Sequence, residues 1–84
     1  MSNKAQTSKN IELTHKFISY LLTAKSIPNL PEDISFVPFS KIDSKLNSAN
    51  EKLLESLTKE ESPVARVEES KVNNGSWKII PVNF

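Results

Sequence analysis

The chain has 84 residues, enough for one small domain, with eleven Lys and Arg against ten Asp and Glu and a net charge of +1. The absence of cysteine, with one histidine and one glycine, excludes disulfide frameworks, thiol catalysis, cysteine zinc sites, multi-histidine metal centres and glycine-rich phosphate loops. The near-neutral balance gives no general attraction to nucleic acid or acidic membrane, and no apolar run approaches the ~20 residues of a membrane span.

Residues 1–9 are small and polar, carry Lys4 and Lys9, and show no periodicity, so they read as a flexible N-terminal tail ahead of a single domain over 10–84. They do not lead into the apolar stretch of a secretory signal, and the expected location is intracellular, cytoplasmic or nuclear.

The spacing predicts a helix over 11–25. Ser8 or Asn10 is placed to cap it, Glu12 suits its positive end, and Pro28 forbids continuation. At ~100° per residue, Leu13, Phe17, Tyr20, Leu21 and Ala24 share one face. Ile11, Ile18 and Leu22 form a second face beside it, and Glu12, His15, Lys16, Ser19 and Thr23 fill the polar remainder. A surface helix needs an apolar stripe of only ≳100°. This one is wider, so contact on two sides is expected.

Residues 26–39 form a connector punctuated by Pro28, Pro31 and Pro38. It contains Ile27, Leu30, Ile34, Phe36, Val37 and Phe39, and is therefore expected to pack across the first helix. A second helix is predicted from Ser40 to about Glu61, with Ser40 and Asp43 as a capping pair and Ile42, Leu46, Ala49, Leu53 and Leu57 as its apolar stripe. Asn47, Ser48 and Asn50 are poor helix formers, and Ser48 with Glu51 is a second capping box, so a break is expected there. Pro63 ends the helix. Residues 64–84 read as a β-hairpin: Ala65 to Glu68 alternates, Asn74-Gly75 suits a type I′ turn, and Pro81 marks an edge or an end. The expected fold class is α+β, with two main helices joined by a packed Pro-rich connector, then a C-terminal hairpin.

Charge is unevenly placed. Residues 1–31 hold four Lys and one Glu, 32–61 hold seven acids and four Lys, and 62–84 are near balance. This is the pattern of solvated surfaces, or of head-to-middle pairing in an oligomer.

No constellation suggests chemistry. His15 lies on the polar stripe between Thr14 and Lys16, without the orienting acid and nucleophile that catalysis requires. The adjacent acids Glu32-Asp33 and Glu60-Glu61 are explained by helix ends, and Glu68-Glu69 falls in the hairpin. No catalytic residue, metal site or cofactor is expected. A winged-helix-like nucleic-acid-binding domain is the alternative, because helices precede a hairpin. The second helix is net acidic, however, and the connector is far longer than the three or four residues of a helix-turn-helix.

A chain of this size without disulfide or metal often gains stability by association. The expectation is therefore a non-enzymatic protein-binding module, a small subunit, adaptor or inhibitor, with a homodimer as its simplest form. It would dock through the apolar faces of helix 11–25. The expected partner-binding residues are Phe17, Ile18, Tyr20, Leu21, Leu22, Phe36, Phe39 and Trp77.

Overall fold

The computed structural model describes residues 1–24, 29–73 and 75–82. Its elements are α1 (Asn3–Thr23), β1 (Ser35–Phe39), α2 (Ser44–Lys59), β2 (Val64–Glu69) and β3 (Trp77–Pro81), an α+β arrangement of two helices and a three-stranded sheet. The strand order is β1-β2-β3: β1 and β2 run parallel, joined through α2, and β2 and β3 form the antiparallel C-terminal hairpin.

α1 begins earlier than the sequence suggests. Ser2 is the N-cap, its hydroxyl accepting the Ala5 amide at 3.1 Å, and residues 3–9 form the first two turns instead of a tail. Those turns lack apolar periodicity because they are held by polar contacts, described below. The C-terminal limit near Lys25, with Ile27 and Pro28, lies outside the described residues.

The connector supplies the third strand. Ser35 donates its N–H to the Pro63 carbonyl, and Ser35, Phe36, Val37, Pro38 and Phe39 pair in register with residues 64–68. Pro38 disguises this strand, since a proline cannot donate to a ladder. Here Ser35, Val37 and Phe39 turn their backbone groups toward β2, so Pro38 turns its own outward. The missing N–H costs no ladder bond. Because β1 lies between α1 and α2, the helices are not a helix-turn-helix pair.

α2 is one continuous helix over Ser44–Lys59, shorter at its start than expected. Asp43 is its cap, its carboxylate accepting the Leu46 amide at 3.0 Å, while the Ser40 hydroxyl closes the preceding turn by accepting the Ile42 and Asp43 amides. Ile42 consequently stands outside the helix and exposed. The buried face is Leu46, Asn50 and Leu54, not the predicted stripe through Leu53. After the C-cap Glu60, Glu61 takes a left-handed φ of 59°, a C-terminal conformation that more often uses glycine.

Side chains alternate across the sheet; α1 with Leu46 from the first turn of α2 covers one face, and the later turns of α2 cover the other. On one, Leu13 and Phe17 of α1 cluster with Val67, Trp77 and Leu46, against half-buried Tyr20, Leu21, Phe36 and Ile79. The Phe17 ring lies 5.0 Å from Phe36 and 5.4 Å from Trp77. On the other, Leu54 and Leu57 of α2 meet Val37, Phe39 and Val64. Arg66 lies on this second face with its guanidinium 3.8 Å from the Phe39 ring centre, and it pairs with Glu51 of α2 and Glu68. Burial alone would lower the Arg66 pKa; the two carboxylates outweigh it and hold it above the ordinary value.

The hairpin is longer than a two-residue turn would make it, since β2 ends at Glu69 and β3 begins at Trp77. Ser76 donates to the Asn73 carbonyl, and Gly75 has φ 83°, a conformation that glycine adopts without cost. The type I′ assignment depends on Asn74, which lies outside the described residues.

Candidate docking surface

The eight expected contact residues separate into three groups. Phe17, Phe39 and Trp77 are buried core. Their aromatic bulk is committed to holding helix and sheet together, so a partner could reach them only by unfolding the domain. Tyr20, Leu21 and Phe36 are half-buried and pack against the first cluster. Ile18 and Leu22 are exposed, at 46% and 82% of their full surface. They share the outer side of α1 with Ile11, which is 53% exposed and does not belong to the expected set. The signal for Ile11 is in the helical wheel, which puts Ile11, Ile18 and Leu22 on one face.

The outer stripe is nearly uncharged. Ile11 and Ile18 line an open depression of about 400 Å³ with Thr7, Asn10, Thr14 and His15. The nearest α1 cations on the other flank are engaged elsewhere: Lys9 pairs with Asp43 at 2.9 Å, and Lys16 lies 3.8 Å from Glu69. Lys9 is the main reason the Asp43 carboxyl is held below its ordinary pKa, followed by the Leu46 amide.

α1 is fixed in this orientation by a buried polar contact that sequence reasoning missed. Asn50 of α2 has no exposed surface. Its Nδ2 donates to the Pro38 carbonyl at 2.7 Å and to Asn10 Oδ1 at 2.8 Å. Its Oδ1 accepts from Gln6 Nε2 at 2.9 Å and Asn10 Nδ2 at 3.1 Å. One amide thereby joins α1, α2 and the outer edge of β1, with both donors and both acceptor lone pairs used. Asn47 acts beside it: its side chain accepts the Ser40 N–H at 2.7 Å and donates to the Ser40 carbonyl at 2.8 Å. These asparagines, which argue for a break when read as helix formers, substitute for a neighbouring strand along the edge of β1.

The titratable groups do not converge. His15 stands exposed on α1; Glu68 is bound to Arg66; and Glu69 accepts the Lys41 amide at 3.1 Å. Among the described residues there is no metal-binding group of His, Cys, Asp and Glu, and no helix is long and apolar enough to cross a membrane. No protein-family model, no curated protein and no solved structure matches the chain.

Proposed function

We propose that this protein is a non-enzymatic docking module that associates with a second copy of itself through the outer face of α1. The carrying observation is the exposed line of Ile11, Ile18 and Leu22 on a helix whose opposite face is already buried. Ile11 and Ile18 are seven residues apart, about two helical turns or ~10.5 Å. Antiparallel packing of two α1 helices therefore sets Ile11 of one copy against Ile18 of the other, and the reverse, as a two-fold interface requires. A second copy suits the stripe because no like charges meet along it: Thr7, Ile11, Thr14, Ile18 and Leu22 are uncharged. Antiparallel helix dipoles add a small favourable term. A single helix face lies at the small end of specific interfaces, so the association is weak, with a Kd of about 1–100 μM.

Mass measured by light scattering over that concentration range tests the reading. The wild type gains mass as it is concentrated. Ile18→Glu places a carboxylate in the stripe and removes that step, with unchanged circular dichroism. A folded Ile18→Glu protein whose mass curve overlays the wild type would refute docking through this face.

A further inference from the structure

The two edges of the sheet are finished differently. The β1 edge is covered at its C-terminal end: the Pro38 carbonyl is held by Asn50, and Ser40, just beyond the strand, is held on both its N–H and its carbonyl by Asn47. The β3 edge has no such cover. Ser70 donates to the Ser76 carbonyl, and Val82 donates to the Val64 carbonyl. Even-numbered residues of this strand therefore turn their backbone groups toward β2. Trp77, Ile79 and Pro81 turn theirs outward. Among the described residues nothing pairs with the N–H and C=O of Trp77 and Ile79, and Pro81 adds a carbonyl without a donor.

We infer that β3 is a strand-pairing edge whose occupant is β3 of a second copy, antiparallel and centred on Ile79. The pattern is self-complementary. Two Ile79 residues exchange both of their hydrogen bonds, and on each side the Trp77 N–H meets the Pro81 carbonyl of the other copy. The absent Pro81 donor leaves only a Trp77 carbonyl at the rim. A centre on Lys78 would also pair the outward groups of Trp77 and Ile79, but it sets the two Lys78 side chains directly opposite each other, a like-charge pair. The Ile79 register separates the lysines: Lys78 of one copy faces Ile80 of the other, so like charges are not opposed. Because the contact is isologous, each β3 edge is used once, and this pairing taken alone ends at two chains. This inference does not rest on the α1 reading, and the two faces lie on different elements.

Amide exchange on the intact protein tests it directly. The Ile79 amide, unprotected in a monomer, slows by about tenfold or more when the protein is concentrated, whereas the Ile80 amide is protected throughout by β2. Two variants separate this contact from the helix. Ile79→Pro deletes an outward donor while leaving the β2 ladder intact, and abolishes one association step that persists in Ile18→Glu. Ile80→Lys sets a second ammonium group against Lys78 of the other copy and weakens pairing; adding Lys78→Glu restores it through two opposite-charge pairs. An Ile79 amide that exchanges at the unprotected rate at every concentration would overturn the inference, as would a charge reversal that fails to restore mass lost in Ile80→Lys. If Ile79→Pro fails to fold, the exchange measurement and the charge pair still decide.

Discussion

The inner and outer faces of α1 are built from the same kinds of residue and serve different ends. Inward, Leu13 and Phe17 are buried among Val67, Trp77 and Leu46. Outward, Ile11, Ile18 and Leu22 meet solvent on the same turns of helix. An apolar side chain stabilises the domain only where something within the chain covers it, and a sheet this small covers one side of the helix. What remains outside is available surface, not added stability.

Substitutions along the helix can break or sharpen that contrast. Phe17→Ala has the largest expected effect, a loss of about 3–5 kcal/mol, since it empties the space between Phe36 and Trp77. Urea unfolding measures it, and a cost under about 1 kcal/mol would show that the inner face is not the core. Asn50→Ala comes next, at about 1–3 kcal/mol, since it leaves the buried Pro38 carbonyl unpaired and takes a partner from the half-buried Asn10 and Gln6 amides. Its effect should be strongly non-additive with Asn10→Ala, because both remove the same bonds.

On the outer face, Ile18→Glu should change the stability of the dilute protein by no more than about 0.5 kcal/mol, the range of exposed positions. A loss comparable to that of Phe17→Ala would mean the outer face is packed after all. The smallest effect concerns Lys9 and Asp43. The folded Asp43 carboxyl sits below its ordinary value of ~4. The folded state therefore binds fewer protons there than the unfolded chain, and the contribution is fully present above pH ~4 and lost as pH falls through the depressed value. Asp43→Asn should flatten this part of the acid-unfolding curve, and an unchanged curve would show that the pair is without thermodynamic effect.

Much of this architecture is legible in the sequence, and the exceptions have physical causes. The wide apolar arc of the first helix and the Asn-Gly hairpin signal depend on local periodicity, so α1 and the β2–β3 pair can be read directly. β1 is obscured because Pro38 is acceptable only at an outward position of an edge strand, and which edge is outer is a property of the assembled sheet. The register of α2 is hidden for a similar reason. Leu53 looks like core and Asn50 like surface, until Gln6, Asn10 and Pro38 surround the Asn50 amide with partners. The aromatic residues expected as contacts are the ones the core takes first, since a small domain has few large side chains to fill it.

The Asn50 amide also sets an order of events during synthesis. Its partners Gln6 and Asn10 precede it by 44 and 40 residues. Gln6 and Asn10 at the start of α1 thus lack this partner until residue 50 has left the ribosome. Shortening the chain at its amino end, or crowding it with a rigid fusion, removes the far half of a clasp whose near half lies at the centre of the molecule.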